Sequence, residues 1–534
     1  MELQYMLTEL LSPVMSWLES VNIDVSKLLE VLLYNPSQPL LFNTGLFLLL
    51  FAGFMCVYRM LGGFRVLKMI FVILFSLYFY YKSSGLCVLI LLGVCISDYL
   101  LGRWMEKVSE PGNENQFVRR FIVFVNVAVN VGMLAYFKYF NLIIDTISRF
   151  STLKIDVLDL ILPAGISFFT FRSISYISDI YRGDVKATHS LLDYTFFLTF
   201  FPPLLAGPVV RAKDMLPQIE ANPTATREMV SEGFYLIILG LIKKVVIADF
   251  ISGNFVDRVF DNPALYSGFE NMMATFGFTI QLYCDFSGYS DMAIGIALLM
   301  GYRFLDNFNA PFKAQNPTEF WHRWHISLST WLRDYVYIPM GGNRCSRPRA
   351  YFNQFATMVI GGLWHGASWM YVIWGAVHGA LLVLHKMFRR LIAMVTSQAV
   401  VTESGEVVVV ASGADKTSPW LRGINMAVTF LLISATFIFF RAPSMEDVGM
   451  MWHQILFDFH LSVAPQFIDS YLTIVLLIAG GYLLHISPSS WGVRLRTLFS
   501  GAPVVIQGLV FALVLILVIQ VRQSEIVPFI YLQY

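Results

Sequence analysis

Apolar blocks long enough to cross a bilayer recur along this 534-residue chain. They decide what it can become, because a membrane-crossing helix needs about 20 mostly apolar residues. The clearest stretches are Leu41 to Tyr58, Val66 to Tyr81, Leu86 to Leu101, Phe121 to Tyr139, Leu160 to Ile177, Phe234 to Ala248, Met426 to Phe440, Tyr471 to Leu484 and Val504 to Val521. Less regular stretches at Tyr194 to Val210, Met272 to Met300 and Phe355 to Leu384 carry Gly, Pro, Asp or His. Such interruptions belong inside a protein wall or cavity rather than against lipid. Together they predict an all-α, multipass integral membrane protein with roughly eleven to twelve membrane-embedded segments. Only 14% of residues are charged, against about 25% in an ordinary soluble domain, and mean hydropathy is +0.63. One large water-soluble core is excluded.

The net charge of +1 points to no nucleic-acid partner, but its distribution is informative. Basic residues gather at Arg59, Arg65 and Lys68, at Arg103, Lys107, Arg119 and Arg120, and at Lys386, Arg389 and Arg390. The positive-inside rule makes these loops cytoplasmic and places the N-terminus outside. Residues 1–40 read as an amphipathic, interfacial extension without the features of a cleaved leader. Residues 41–534 read as a single transmembrane domain with a cytoplasmic loop at about 386–422. Within that loop, Thr402 to Ser418 reads as a disordered insert around a short Val run. The five cysteines form no C-x-x-C pair and read as small buried hydrophobes rather than a disulfide framework or zinc site.

Between Gly301 and Gln354, arginines including Arg333, Arg344 and Arg347 interleave with Trp and Tyr. This basic-aromatic face is either an anchor on anionic lipid or a docking surface for a polyanionic cofactor such as CoA, whose phosphates need Lys and Arg. Five of the nine histidines fall between Trp321 and Lys386: His322, His325, His365, His378 and His385. A histidine inside an apolar run, as in Gly361-Gly362-Leu363-Trp364-His365-Gly366, is costly unless paired or lining a cavity. It either bridges helices by hydrogen bonds or serves as a base, for which a neutral imidazole is suited. His322 and His325, spaced i, i+3, would share a helical face and could suit zinc, but no cysteine accompanies them; a metal is not expected. Gly361 and Gly362 either permit close helix packing or let substrate approach. Buried Asp285 and Asp291 either orient a histidine or hold a helix break, and the three prolines within Phe200 to Arg211 argue for a re-entrant hairpin.

Taken in order, Leu162-Pro163-Ala164-Gly165-Ile166-Ser167-Phe168, Ala206-Gly207-Pro208-Val209, Asp285-Phe286-Ser287-Gly288-Tyr289-Ser290-Asp291, Trp324-His325-Ile326-Ser327-Leu328-Ser329, Gly341-Gly342-Asn343-Arg344, Gly361 to Gly366 and Phe439-Phe440-Arg441-Ala442 form a specific set. It resembles the membrane-bound O-acyltransferase superfamily, in its bacterial alginate O-acetyltransferase-like branch, from about Leu162 to Arg441. The resemblance implies a ring of tilted helices around a thinned core, with re-entrant segments and a central tunnel. It implies His365 as the catalytic histidine and His325 as a second polar group in the same tunnel. Trp324, Ser327, Trp364, Asp285 and Asp291 would support it. His322 stands where this branch commonly has Arg.

The expected donor is acetyl-CoA, held by Arg333, Arg344 and Arg347 at the cytoplasmic face of a bacterial inner membrane, with no permanently bound cofactor. The expected acceptor is an exported polysaccharide, reached through a periplasmic acetyltransferase partner. D-alanyl transfer from a carrier protein is the rival within the class. A transporter is the rival outside it, although no internal symmetry supports one.

Overall fold

The computed structural model describes residues 30–112, 114–151, 156, 158, 160–401, 407–411, 418–521 and 529. Residues 1–29 of the expected interfacial extension lie outside the described residues. Its last part is tied down, since the Lys82 ammonium donates to the carbonyls of Val31 at 2.9 Å and Leu33 at 2.5 Å.

The fold is helical. In chain order the main helices are α1 (Gly45–Met60), α2 (Arg65–Ser84), α3 (Val88–Lys107), α4 (Gln116–Leu134), α5 (Phe140–Phe150), α6 (Ile166–Arg182), α7 (Leu191–Thr199), α8 (Ala212–Ala221), α9 (Arg227–Leu241), α10 (Asp257–Asp261) and α11 (Gly268–Leu299). There follow α12 (Pro317–Arg323), α13 (Ile326–Leu332), α14 (Arg347–His365), α15 (Trp369–Thr396), α16 (Pro419–Arg441), α17 (Met445–Phe457), α18 (Ala464–Ser470), α19 (Leu472–Ile486), α20 (Ser489–Gly501) and α21 (Val504–Val521). π-Helical turns continue α4 at Ala135–Tyr139, α9 at Ile242–Asp249 and α13 at Arg333–Tyr337.

Among the described residues, five helical runs are long and apolar enough to cross a membrane: Arg65–Lys107, Gln116–Phe150, Trp369–Val395, Pro419–Arg441 and Val504–Val521. The segments Leu461–Ser470 and Leu472–Ile486, bent by 99° at their junction, reach that length and apolarity only when taken together. Other expected spans differ. Leu160 to Ile177 is not one straight helix: α6 begins only after Gly165, which adopts φ +70° and where a Cβ would stand 2.5 Å from the Leu204 carbonyl. Helix α6 is buried along nearly its whole length. The Val run of the expected disordered insert pairs instead as a hairpin, Ser397–Val401 antiparallel to Val407–Ala411, as its β-branched residues favour. Residues 402–406 and 412–417 lie outside the described residues.

The apolar stretch at Tyr194 to Val210 re-enters. Asp193 at its start pairs with Arg65 at 2.9 Å, and Arg211 at its end pairs with Asp334 at 2.7 Å, both on the basic side. Between them residues 200–211 are non-helical and buried, and backbone at such depth needs partners. Arg172, fully buried on α6, supplies them by donating to the carbonyls of Leu198, at 3.2 Å, and Pro203.

Helix α11, 32 residues long, is the buried centre of the fold. It is continuous through Asp285 and Asp291, so of the two readings of these aspartates the helix break is not realised. Glycines bring α9 against it: a Cβ on Gly240 would lie 2.5 Å from the Gly288 carbonyl, and one on Gly233 2.7 Å from that of Gly295. Small residues allow this backbone approach in membranes, where packing rather than hydrophobicity drives association. Gly240→Val should cost about 1–3 kcal/mol through overpacking, seen as a lower melting temperature of the purified protein; an unchanged melting curve would contradict this packing. Just beyond Gly240, Lys243 donates to Asp291 at 2.7 Å, while Lys244 reaches Asp285 at 2.5 Å and Asp249 at 2.8 Å. These two aspartates therefore pair with lysines of the neighbouring element.

Candidate active site

His365 is the last residue of α14, buried within a cage of rings: Trp364 at 5.1 Å, Trp374 at 5.0 Å and Phe440 at 5.4 Å between centroids. The chain turns sharply after it because Gly366 lies against Tyr371, where a Cβ would come within 2.2 Å of the ring. Gly362 meets the backbone of Gly375 on α15, a Cβ there falling 2.3 Å from the Tyr371 carbonyl. Of the two readings of Gly362, close helix packing is the one realised. Gly361 meets only the side chain of Leu332.

His325 does not share a helical face with His322. Helix α12 ends at Arg323, and His325 takes φ +43°, ψ 56° as the N-cap of α13. Its ring is fully buried, with Nδ1 3.1 Å from Asn307 Oδ1. That oxygen also accepts from the Ser327 hydroxyl at 2.8 Å and the Ser327 amide at 3.2 Å, so it is an acceptor and His325 Nδ1 must carry the proton. Nε2 is left with the lone pair. Left-handed backbone at a non-glycine residue is costly and persists where surroundings enforce it; here Asn307 holds residues 325 to 327, its own amide donating to Ser290 at 3.1 Å. Ser327 Oγ in turn accepts from the Val209 amide at 2.9 Å, joining the Ala206 to Val209 motif to the histidine loop. Trp324 is a packed wall residue, its ring 5.5 Å from Phe320. Asn307 was not singled out from the sequence.

His378 is a buried histidine that bridges helices. Its Nδ1 accepts from Trp321 Nε1 at 3.2 Å and its Nε2 lies 2.9 Å from Thr436 Oγ1, tying α12, α15 and α16 together. Among the described residues no group of three His, Cys, Asp or Glu side chains is placed to hold a metal.

Two cavities flank this region. One of about 180 Å³ is lined by Pro36, Pro39, Ser83, Lys138, Gly165, Ser167, Trp364 and His365. Ser83 is at the far end of α2 from Arg65, so this cavity faces away from the basic loops. The other, of about 760 Å³, is lined by Trp321, His322, Arg333, Thr357, Met358, His385, Lys386, Arg389 and Arg390. Three of its basic residues, Lys386, Arg389 and Arg390, come from α15, which folds back on α14 so that Gly379 meets Phe355. Arg344 and Arg347, expected donor contacts, do not line it. Arg333 does, and it also pairs with Asp334 at 2.7 Å. Burial opposes ionisation of Asp334, but hydrogen bonds from Arg333 and Arg211 outweigh it and hold the carboxyl below the usual range.

His365 lines the smaller cavity and His325 is in the lining of neither, while Trp374, 5.0 Å from His365, and Trp321, 5.8 Å from Trp374, stand between His365 and the larger one. Met358 on the wall of the larger chamber is seven residues before His365 on α14, about 10 Å along the helix.

Residues 184–403 match the family described as MBOAT, membrane-bound O-acyltransferase family. The chain is 38% identical to a probable alginate O-acetylase of Pseudomonas aeruginosa, over 79% of this chain and 75% of that protein. It is 33% identical to a peptidoglycan O-acetyltransferase of Helicobacter pylori, over 76% and 78%, and 29% identical to a teichoic acid D-alanyltransferase of Bacillus subtilis, over 42% and 59%. A multipass helical membrane protein carrying these ordered motifs and this degree of identity belongs to the membrane-bound O-acyltransferase family, in its alginate O-acetylase-type branch, and is an O-acyltransferase.

Proposed function

We propose that the protein takes an acetyl group from cytoplasmic acetyl-CoA and passes it across a bacterial inner membrane for O-acetylation of an exported polysaccharide, through a periplasmic acetyltransferase partner. The observation that carries this reading is the position of His365, at the inner end of one chamber and one aromatic partition away from a larger chamber rimmed by Arg333, Lys386, Arg389 and Arg390. A ring of fixed cations suits the phosphates of a CoA. The names of the Pseudomonas and Helicobacter relatives support acetyl transfer to a cell-envelope polymer.

In this mechanism the phosphates rest on the basic rim and the thioester arm passes the Trp321–Trp374 partition, which must swing aside. His365 then removes the proton from an acceptor hydroxyl entering by the smaller chamber. The hydroxyl oxygen attacks the thioester carbonyl, the C–S bond breaks, and the CoA thiolate takes that proton back from the His365 imidazolium and leaves toward the cytoplasm as the free thiol. Aromatic walls keep water from competing as the nucleophile. At about 180 Å³ the acceptor chamber is smaller than an ordinary ligand pocket of about 300–1,000 Å³. That size favours a slender hydroxyl-bearing group over a polymer strand, and so favours the relay.

The donor half is tested by Lys386→Glu/Arg389→Glu/Arg390→Glu. The acetyl-CoA KM should rise about 10- to 100-fold, each tenfold being ~1.4 kcal/mol of lost binding, with kcat little changed in a free-thiol release assay. An unaltered KM would overturn this donor site. Because a teichoic acid D-alanyltransferase is among the relatives, the same assay should include a D-alanyl carrier protein. Turnover with that donor and none with acetyl-CoA would replace acetyl by D-alanyl.

A further inference from the structure

The last four carbonyls of any α-helix lack intrahelical partners, and in α14 these belong to Gly362, Leu363, Trp364 and His365. Three of them are met by two successive side chains from another element. Tyr139 donates its hydroxyl to the Leu363 carbonyl at 2.9 Å. The Lys138 ammonium donates to the Trp364 carbonyl at 2.7 Å and the His365 carbonyl at 3.3 Å. Successive side chains of a regular α-helix diverge by about 100°, so two neighbours seldom serve one helix end. Here both belong to the π-helical turn Ala135–Tyr139 that interrupts the run from α4 to α5, and such turns are frequent at functional sites.

Lys138 is buried at membrane depth, and among the described residues no carboxylate contacts it. An ammonium there is costly, whereas a neutral donor would cap a carbonyl more cheaply. The cation faces the negative end of α14, where it is favoured by the helix dipole. It also lines the smaller chamber with His365 and lies 3.4 Å from Ser167 Oγ. The indole of Trp364, whose backbone it holds, donates to the Ser167 carbonyl at 3.4 Å and packs on Phe171 at 5.4 Å.

We infer that Lys138 and Tyr139 are positioning residues for acyl transfer, a side-chain clamp that fixes the end of α14 and thereby aims the His365 imidazole into the acceptor chamber. The inference rests on the reading of His365 as the base. A reacting group displaced by about 1 Å can lose 10²-fold in rate, so an unclamped helix end should cost turnover rather than donor binding, which occurs in the other chamber.

The test compares full-length Lys138→Met, Lys138→Arg and Tyr139→Phe in detergent by free-thiol release with acetyl-CoA and acceptor. Lys138→Met, which keeps the stem but not the donor, should lower kcat about 10- to 100-fold with the acetyl-CoA KM unchanged. Lys138→Arg should restore a large part of the loss. Tyr139→Phe removes one hydroxyl from an otherwise intact ring and should lower kcat several-fold with the melting temperature nearly kept. It decides the matter if Lys138→Met does not fold. A kcat within twofold of the parent in Tyr139→Phe and in any folded Lys138→Met overturns the clamp, as does a loss appearing only in KM. His365→Ala, run alongside, separates the two claims. If that variant stays active the reading of His365 has failed, and if it alone is inactive only the clamp has failed.

Discussion

Replacement of His365 by alanine is expected to lower kcat for acyl transfer by about a thousandfold, within the 10²- to 10⁴-fold range that general base catalysis contributes. The protein should still fold. His365 ends its helix and packs against three aromatic rings, so its loss leaves a cavity but breaks none of the α14–α15 backbone packing at Gly362 and Gly375. Melting temperature and elution as a single species check the fold, and thiol release with acetyl-CoA and acceptor checks the chemistry. His378→Ala, by contrast, should act through stability, because that ring bridges Trp321 and Thr436. If His378→Ala were inactive yet fully stable while His365→Ala worked, the assignment of base and bridge would be reversed.

The largest effect on stability is expected at Lys244. Its side chain is wholly buried, between Asp285 and Asp249 and beneath the ring of Phe529 at 4.5 Å. Lys244→Met leaves two buried carboxylates facing each other without the ammonium between them. Breaking such a pair costs about 3–5 kcal/mol, so the melting temperature and membrane yield should both fall steeply. Neutralising all three groups, Lys244→Met/Asp249→Asn/Asp285→Asn, should recover much of the loss, since uncharged replacements of buried ion pairs are often close to neutral. A single variant as stable as the parent would show that the cluster holds nothing together.

Much of this was readable in the residues. Hydropathy placed spans such as Val504–Val521, which matches its helix at both ends, because lipid imposes length and apolarity directly. The prolines and polar interruptions located the re-entrant segment, because non-helical backbone cannot face lipid. The residues left two readings of His365 open, a helix bridge or a base; a hydrogen-bonded bridge is made by a different buried histidine, His378, which the sequence did not distinguish. What stayed hidden depends on contacts between distant parts of the chain. Lys138 lies more than two hundred residues before the carbonyls it holds, and Arg172, inside the expected span Leu160 to Ile177, shows no partner in the sequence until Pro203 is placed beside it. Asn307, in an unremarked loop, governs His325. Of the three arginines read from the basic-aromatic run, Arg333 lines the larger chamber and Arg344 and Arg347 are not in its lining. Its rim is completed by Lys386, Arg389 and Arg390, which the charge pattern had marked only for topology.

In the proposed mechanism acyl groups pass His365 from a chamber on the basic side to one on the opposite side, a direction that sealed vesicles can resolve. It is tested most directly with sealed, sidedness-defined vesicles holding the full-length protein and acceptor, given acetyl-CoA labelled in the acetyl group on one face only. Labelled O-acetyl product should form on the opposite face when the donor is supplied at the Lys386–Arg390 side, and should be absent with His365→Ala. Equal labelling with His365→Ala, or product only when the donor meets the other face, would contradict the account.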